Sequence, residues 1–338
     1  MYYTDADKMH EECGVIGIYG SCGDDSIPLS LYWGLFALQH RGQESAGMAL
    51  SDGKNMEVFR GMGLVGDVFS KLPEMNSNIG IGHVRYSTTG SSMPCNTQPF
   101  MVRYVGGSIS MAHNGNLTNA TEIRSRLEKG GSVFQTTVDS EVVANLIARS
   151  KCNTIEEQVL ESVTQIQGAY CLVIMTRDKL IGVRDPHGFR PLCLGKNGST
   201  WVLASESCAL DAVGADFVRD IEPGEMVIID EKGVKSKLFA YAEERAACVF
   251  EYIYFARPDS VIDGQSVYQA RLAMGRELAR ESGIKADLVI AVPDSGREAA
   301  LGYSYESGIP FAEGLIKNRY IGRTFIQPEQ KNRDMGVR

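Results

Sequence analysis

Cys13-Gly-Val-Ile-Gly-Ile-Tyr-Gly20 is the stretch on which the fold of this chain depends. Small and β-branched residues dominate it, which predicts a short strand. The twelve residues before it carry four acids and no hydrophobic block, so they do not form a signal peptide. If the bond between Glu12 and Cys13 is cut, the new α-amine lies beside the Cys13 thiol and can act as its general base. Cys13 is therefore the candidate nucleophile.

The composition is ordinary for a soluble globular protein. Of the 338 residues, 43% are hydrophobic and 22% are charged, and the net charge of −8 argues against a nucleic-acid surface. No apolar run is long enough to span a membrane. The eight cysteines lack paired spacing, so we expect reduced thiols and a cytoplasmic location. Structural or incidental roles are expected for Cys95, Cys152, Cys171, Cys193 and Cys208.

The order of the predicted elements indicates an α+β domain followed by the start of an α/β domain. Helical periodicity covers 28–40, 118–129, 139–150 and 155–166, and strand-like segments cover 46–50, 56–60, 79–85, 101–104, 108–112, 169–175, 179–184, 191–194, 201–205 and 226–230. Strands in runs with helices grouped between them predict layers around an antiparallel sheet. After Ala242 the pattern changes. Residues 265–282 predict an amphipathic helix, residues 286–292 a buried parallel strand, and residues 298–306 a further helix.

Four polar stretches contain more glycine and hydrogen-bonding groups than packing requires. They are Gln-His-Arg-Gly-Gln-Glu-Ser at 39–45, Gly-His-Val-Arg-Tyr-Ser-Thr-Thr-Gly at 82–90, Ala-His-Asn-Gly-Asn-Leu at 112–117 and Asp-Ser-Glu at 139–141. We interpret 112–117 as a turn at the end of a strand. Together with Cys13, these stretches resemble the glutaminase domain of the N-terminal-nucleophile amidotransferases. The longer matches continue to the last residue and resemble the amidophosphoribosyltransferase family.

The resemblance implies the fold and the domain boundaries. It predicts a propeptide at 1–12 and an α+β N-terminal-nucleophile hydrolase domain, a four-layer αββα glutaminase, at 13–243. The start of an α/β type I phosphoribosyltransferase domain would follow at 244–338. The paired acids and the Gly/Thr-rich loop that grip ribose 5-phosphate in that family do not occur before Arg338. We therefore expect an incomplete transferase domain.

The resemblance also assigns roles at the first site. Cys13 attacks the glutamine carboxamide, a γ-glutamyl thioester forms and ammonia leaves. The side-chain amide of Asn114 and the backbone N–H of Gly115 form the oxyanion hole. The implied binding residues are Arg41 and Gly42 beside the nucleophile, Arg85 and Thr88 for the substrate α-carboxylate, Asp139 for the α-ammonium, and Tyr86 as the link to the second site.

Each of these residues has a simpler interpretation when it is taken alone. Asn-Gly is a very common tight-turn dipeptide, so Asn114-Gly115 alone would predict a hairpin. Asp139 alone would be a helix N-cap, and Arg85 alone would be a surface charge. Their order along the chain, together with Cys13, favours the functional interpretation.

A second candidate site follows the apolar run. Pro-Asp-Ser-Gly-Arg at 293–297 would present backbone N–H groups at a helix N-terminus, which is a natural anion site. It resembles the family's pyrophosphate loop. Phosphoribosyl pyrophosphate would be bound by Asp294, Gly296 and Arg297, and by Lys317, Arg319 and Arg323 of a flexible loop, with Mg²⁺ at Ser295. Without the resemblance to the family, the two segments would be interpreted as a turn and an exposed basic loop.

The resemblance also implies an iron–sulfur cluster, small-molecule ligands and self-association. A propeptide accompanies the iron–sulfur subtype of the family, and Cys248 matches one ligand of its [4Fe–4S] cluster. Four thiolates hold such a cluster, and the other three would lie beyond this chain. The family implies a homo-oligomer that binds glutamine, phosphoribosyl pyrophosphate and inhibitory purine nucleotides, without nucleic acid or membrane.

Two other functions are compatible with parts of this pattern. A second amidotransferase with the same glutaminase, of the glucosamine-6-phosphate synthase type, is opposed by the leader and by the segment after Ala286. A non-catalytic protein that binds glutamine or nucleotides would keep its leader. The whole motif set favours the first step of de novo purine synthesis, in which ammonia from glutamine converts phosphoribosyl pyrophosphate to 5-phosphoribosylamine, with glutamate and pyrophosphate as the other products.

Overall fold

The computed structural model describes residues 13–20, 26–86, 92–242 and 244–318. The chain divides into two compact units between Ala247 and Cys248. In the first unit the strands are β1 Gly14–Tyr19, β2 Ser45–Ser51, β3 Met56–Met62, β4 Ile79–Arg85, β5 Phe100–Tyr104, β6 Gly107–Leu117, β7 Gly168–Met175, β8 Leu180–Arg184, β9 Cys193–Asn197, β10 Thr200–Ala204, β11 Asp216–Asp220, β12 Glu225–Asp230 and β13 Gly233–Leu238. Its helices are α1 Ile27–Ala37, α2 Val65–Val68, α3 Ala120–Lys129, α4 Glu141–Arg149, α5 Ile155–Val163 and α6 Ser207–Ala212, with 3₁₀ turns at Gln39–Arg41 and Pro94–Asn96.

The strands of the first unit form two antiparallel sheets. The first sheet has seven strands in the order β11-β9-β10-β1-β4-β2-β3, and the second has six in the order β13-β12-β8-β7-β6-β5. An apolar cluster that includes Val15, Ile81 and Val173 fills the layer between the sheets, which we call the inner layer. Two other clusters bury α1 and α6 against the first sheet and α3 to α5 against the second. This confirms the predicted four-layer αββα fold.

The alternation of side chains along β1 explains how this strand contributes to two apolar layers. Successive side chains of a strand point to opposite faces. Ile16 and Ile18 accordingly join the cluster under the helices, whereas Val15 joins the inner layer. Gly17 shares the face of Val15, and a Cβ added there would stand 2.8 Å from side-chain carbons of Leu180 and Val173 in the second sheet. Glycine at this position therefore allows the two sheets to approach closely.

The prediction of a turn at 112–117 is wrong. These residues are the end of the eleven-residue strand β6, and the pairing with β7 continues from Ser110–Met175 to Leu117–Gly168. The strand accommodates Gly115 at a φ of +141°. Asn-Gly is common in hairpins because glycine tolerates positive φ, and the same tolerance is used here inside a ladder.

The second unit consists mainly of two packed helices. Its elements are β14 Val261–Ile262, β15 Gln265–Ser266, a π-helical turn Glu251–Phe255, α7 Val267–Ser282 and α8 Arg297–Ser307. The Ser266 hydroxyl accepts a hydrogen bond from the Gln269 N–H and caps α7. A Cβ added at Gly275 would overlap the carbonyl of Ala299 on α8, so the two helices are in backbone contact. No helix in the described ranges has both the length and the apolar character needed to cross a membrane.

The prediction of a buried strand at 286–292 is also wrong. A single parallel bridge joins Val289 to Phe311, and the side chains of Leu288 and Val292 are 48% and 72% exposed. A parallel strand becomes buried only when neighbouring strands and helices cover both its faces. Within 244–318, the segment at Phe311 is the one extended partner that pairs with this run. The apolar composition therefore does not produce burial here.

We predict that Gly17→Ala destabilises the first unit and that Gly61→Ala does not. Gly17 faces the inner layer and has no room for a methyl group, so the substitution should lower the free energy of unfolding by about 1–3 kcal/mol. At Gly61 on β3 the nearest atom to an added Cβ is 3.4 Å away, and replacing glycine inside a strand should be neutral or stabilising. Urea unfolding of both variants measures the difference. Equal losses for both would contradict close sheet packing at Gly17.

Candidate active site

Cys13 lies directly before β1 and beside the end of β4. The pairing of β1 with β4 begins at Gly14 opposite Val84, which brings Cys13 next to the last residue of β4, Arg85. The Cys13 thiol donates to the carbonyl oxygen of Tyr86 at 3.5 Å, and Cys13 is 6% exposed. Because Val15 faces the inner layer, strand alternation directs Cys13 toward the same layer. The candidate nucleophile therefore sits at one end of the space between the sheets.

The turn that follows α1 holds the backbone of Cys13. Arg41 is 2% exposed, and its Nε donates to the carbonyl oxygen of Cys13 at 3.0 Å. Its terminal nitrogen Nη1 donates to Oε1 of Glu206 at 2.5 Å. At Gly42 an added Cβ would lie 2.5 Å from the carbonyl carbon of Arg85, so only glycine lets this turn approach the end of β4. The structure thus connects both Arg41 and Gly42 to the surroundings of the nucleophile.

Strand β6 carries Asn114 to the inner layer from the second sheet. Ala112 belongs to the inner-layer cluster, and Asn114, two residues later, points to the same side. The Asn114 side chain is fully buried, yet neither Oδ1 nor Nδ2 has a hydrogen-bond partner among the described residues. Buried polar groups are normally paired, and each exception calls for an explanation. This amide is therefore able to pair with a group that is not among the described residues.

Gly115 must be glycine for steric reasons. A Cβ added there would overlap the carbonyl oxygen of Ala169 on β7, and its φ is +141°. Any other residue would push β6 away from β7 and move the Asn114 amide with it. Glycine at position 115 is thus required by the strand geometry as well as by the implied chemistry.

A buried histidine connects the two sheets at this point. Nε2 of His83 on β4 lies 3.0 Å from the carbonyl oxygen of His113 on β6. A carbonyl oxygen only accepts, so Nε2 carries the proton. Burial lowers the pKa of His83 to about 3, and the imidazole is neutral at physiological pH. The motif at 82–90 contains His83, but the sequence assigned it no role because it did not reveal the partner.

Arg85 is a buried ion-pair partner and not a surface charge. It is 2% exposed and donates to the carboxylate of Glu44, which is also buried. The Glu44 backbone N–H in turn donates to the Arg85 carbonyl oxygen at 3.0 Å. Two buried charges in contact compensate each other electrostatically, and this pair lies at the end of β4, the strand beside Cys13.

Asp139 is buried next to the end of β6, but it is not the N-cap of α4. That position belongs to Ser140. The Asp139 carboxylate accepts from the N–H groups of Leu117 and Ser140, both at 2.7 Å, and lies 3.6 Å from Nδ1 of His113. Burial alone would raise the pKa of Asp139, but His113 and the backbone donors outweigh it and hold the pKa below its ordinary value. Asp139 is therefore an anion fixed at the edge of the site.

Two acidic residues that sequence reasoning missed complete the first site. Glu44 lies within the motif at 39–45, whereas nothing in the sequence distinguished Glu206. Glu206 is 1% exposed and follows β10, and its Oε1 also lies 2.7 Å from Nε2 of His40. Both residues neutralise an arginine at the site.

The second candidate site contains two ion pairs in the described part of the second unit. Lys317 Nζ donates to Oδ2 of Asp294 at 2.8 Å, and Arg297 pairs with Glu313. Gly296 is the N-cap of α8. The structure therefore brings Lys317 to the loop at 293–297. The leader at 1–12, and the predicted binding residues Thr88, Arg319 and Arg323, lie outside the described residues.

The predicted metal ligands do not form a recognisable metal centre. Cys248 is half-buried at the start of the second unit, and Ser295 is half-buried in the loop before α8. Over the described ranges, no three His, Cys, Asp or Glu side chains are grouped as metal ligands.

Comparisons with known proteins agree with these observations. A family model described as a glutamine amidotransferase domain matches residues 83–212. The chain is 49% identical to the amidophosphoribosyltransferase of Bacillus subtilis (strain 168) over 333 residues, which cover 98% of this chain and 69% of that protein. It is 50% identical over 344 residues to the chloroplastic amidophosphoribosyltransferase 1 of Arabidopsis thaliana, covering 100% of this chain and 60% of that protein.

A solved structure is similar over the same range. The glutamine phosphoribosylpyrophosphate amidotransferase from B. subtilis, complexed with ADP and GMP, matches with a TM-score of 0.86 at 48% identity. The match covers 96% of this chain and 71% of that one. The chain thus spans between 60% and 71% of the length of these three relatives.

We predict that His83 makes the first unit less stable in acid. The unfolded chain protonates this histidine near pH 6.5, whereas the folded chain does so only near pH 3, so the unfolded state binds the extra proton between these values. Stability should therefore rise with pH across that window, by up to about 1.4 kcal/mol per pH unit from this residue. His83→Asn keeps a donor for the His113 carbonyl but cannot titrate.

Urea unfolding between about pH 4.5 and 6 should show a shallower pH dependence for His83→Asn than for the wild type. Above about pH 7.5 the difference between the two proteins should no longer depend on pH, which provides an internal control. Identical slopes in the acidic range would mean that His83 titrates in the folded state.

Proposed function

The chain belongs to the amidophosphoribosyltransferase family, as its motifs predicted, and from this premise we propose that its first unit hydrolyses glutamine with Cys13 as the nucleophile. The observation that carries the proposal is the Asn114 side chain. It is fully buried, lacks a hydrogen-bond partner among the described residues and faces the same inner layer as Cys13. An oxyanion on the glutamine carboxamide would supply the acceptor that this amide needs.

The proposed reaction begins with removal of residues 1–12, which frees the α-amine of Cys13. The amine takes the thiol proton, and the thiolate attacks the carboxamide carbon. The oxyanion that forms accepts hydrogen bonds from Nδ2 of Asn114 and the N–H of Gly115. When it collapses, the C–N bond breaks, the α-ammonium of Cys13 returns its proton to the departing nitrogen, ammonia leaves and a γ-glutamyl thioester remains. Water then attacks the thioester, glutamate leaves, and the thiol is restored.

Two buried charges suit the amino-acid end of glutamine. Asp139 has a depressed pKa and remains ionised at neutral pH, as an acceptor for an α-ammonium must be. Arg85 carries a planar guanidinium that suits an α-carboxylate, and in this structure Glu44 occupies part of that fork. Substrate binding would therefore require Arg85 to share its donors between Glu44 and glutamine, with help from Thr88. Tyr86, whose carbonyl oxygen accepts a hydrogen bond from the Cys13 thiol, would transmit the effect of glutamine binding to the second site.

For the second unit we propose a role in binding phosphoribosyl pyrophosphate, which would receive the ammonia to give 5-phosphoribosylamine and pyrophosphate. The support is the cation that Lys317 places beside Asp294, in the loop that also contains Ser295 and Gly296. A polyphosphate could bind these donors together with Arg297, Arg319 and Arg323. The Asp294 carboxylate and the Ser295 hydroxyl are oxygen ligands that fit Mg²⁺ held largely by substrate phosphates. When bound, that ion would neutralise charge on the leaving pyrophosphate.

The residues present do not fit a complete iron–sulfur centre. A [4Fe–4S] cluster needs four thiolates, and Cys248 has no grouping of further ligands within the described residues. We therefore include Cys248 only as one ligand of a cluster and derive no reaction step from it. Inhibition by purine nucleotides, assembly as a homo-oligomer and a cytoplasmic location complete the proposal. The similar B. subtilis enzyme was solved in complex with ADP and GMP, which supports nucleotide binding.

The nucleophile can be tested by pairing two cysteine variants. Cys13→Ala should abolish release of glutamate and ammonia from glutamine, because no other thiol lies beside an N-terminal amine. Cys152→Ala changes a half-buried cysteine near the start of α5 and should retain wild-type turnover. Intact mass of the active wild type should lack residues 1–12. Turnover by Cys13→Ala, or by protein that retains its leader, would overturn the assignment.

The oxyanion hole can be tested along a single strand. Asn114→Ala should lower kcat by about 10²–10³-fold, which is the typical cost of losing one such donor, with a smaller change in KM for glutamine. Asn116→Ala alters an exposed residue of the same strand and should stay within about twofold of wild type. Steady-state glutaminase assays measure both. A loss in Asn114→Ala confined to KM would mean that this amide binds the substrate and does not stabilise the transition state.

A further inference from the structure

The Glu206 carboxylate is the centre of a buried polar cluster next to the nucleophile. Its Oε1 accepts from Nη1 of Arg41 at 2.5 Å and lies 2.7 Å from Nε2 of His40. The thiol of Cys208 donates to Oε2 at 3.6 Å. Because the side chains of Glu206 and Arg41 are both 0% exposed, their contact is shielded from solvent. It should therefore be stronger and more rigid than a surface ion pair.

The cluster is connected directly to Cys13. Arg41 uses Nη1 for Glu206 and Nε for the carbonyl oxygen of Cys13, at 3.0 Å. One guanidinium therefore spans from the carboxylate to the backbone of the nucleophile. The Cys13 carbonyl belongs to the same residue as the thiol and the α-amine, so fixing this carbonyl restricts how both reacting groups can turn.

The backbone before Glu206 is held just as firmly. Ser205 and Val15 exchange two hydrogen bonds, from the Ser205 N–H to the Val15 carbonyl and from the Val15 N–H to the Ser205 hydroxyl, both at 3.0 Å. These bonds extend the pairing of β10 with β1 by one residue. Glu206 thus follows directly on a backbone segment that is hydrogen-bonded to β1, the strand that begins after Cys13.

We propose that Glu206 is a positioning residue for Cys13, acting through Arg41; this inference rests on the proposed glutaminase function. Glu206 neutralises the buried guanidinium and fixes its plane. Arg41 in turn holds the Cys13 carbonyl, so that the thiol faces the Asn114 amide across the inner layer. Arg41, expected from the sequence as a substrate-binding residue, is here a link between Glu206 and the nucleophile. Neither residue needs to touch glutamine for this effect.

The test compares Glu206→Gln with a matched change elsewhere in the first unit. Glu206→Gln keeps an acceptor for Arg41 but removes the charge, and it should lower kcat for glutamine hydrolysis by about 10-fold to 100-fold, because small misplacements of reacting groups are costly. KM should change by less than about threefold, since glutamine itself is not contacted. The control is Glu225→Gln, which removes a buried carboxylate that Arg219 binds through two hydrogen bonds. It should retain wild-type kcat.

A double variant decides whether Glu206 acts through Arg41. If it does, kcat of Arg41→Met/Glu206→Gln should match that of Arg41→Met within about twofold, because the second change removes nothing further that acts on Cys13. Two independent roles would instead make the losses multiply, and that result would overturn the proposal. The double variant also removes both buried charges, so it serves as the deciding protein if Glu206→Gln alone proves too unstable to assay.

Failure of this inference differs from failure of the proposed function. A processed wild-type chain that does not hydrolyse glutamine would reject the function. An active wild type with unchanged kcat in folded Glu206→Gln, confirmed by circular dichroism, would reject the positioning role alone. A loss that appears only in KM would reject it as well, because a positioning residue for the nucleophile should act on the chemical step.

Discussion

The close face-to-face packing of two antiparallel sheets is the constraint on which the rest of this structure depends. Most of the inner layer is apolar, and Gly17 provides the room for it. At the end of the inner layer near Cys13, polar side chains replace the apolar ones. Asn114 and His83 lie there, and both are fully buried. Polar groups in such a place must find partners. The hydrogen bond from His83 to the His113 carbonyl oxygen fixes one sheet against the other at the point where the polar residues begin.

Two buried ion pairs, Arg41 with Glu206 and Arg85 with Glu44, involve residues next to the candidate nucleophile Cys13. Replacing a buried ion pair by apolar residues often leaves a protein equally stable, so such pairs are weak evidence for a contribution to stability. Their value here is geometric. Arg41 places its guanidinium 3.0 Å from the Cys13 carbonyl oxygen, and Arg85 lies at the end of β4, the strand beside Cys13. The candidate site is therefore built from buried charges that restrain one another.

Sequence reasoning succeeded where the signal was local. The alternation of apolar and polar residues and the runs of β-branched residues predicted most strands, and the order of the motifs predicted the family. It failed where the outcome depended on distant partners. Asn114-Gly115 has the same preference for positive φ in a turn and in a strand, and only pairing with β7 distinguishes them. Residues 286–292 are apolar, but burial needs neighbours that composition cannot supply. Glu206 lies 165 positions from Arg41 in sequence, so no local pattern could have predicted their contact.

The buried histidines also clarify which group can act as the base. A general base works best when its pKa lies near the working pH. His83, with a pKa of about 3, is neutral at pH 7 but far too weak a base to take a thiol proton efficiently. His113 is turned toward Asp139 through Nδ1, on the opposite face of β6 from Asn114. An N-terminal α-amine, with an ordinary pKa of about 7.7–8.0, is far better matched to the task. This comparison supports the proposal that the Cys13 α-amine is the base, whereas His83 holds β4 against β6.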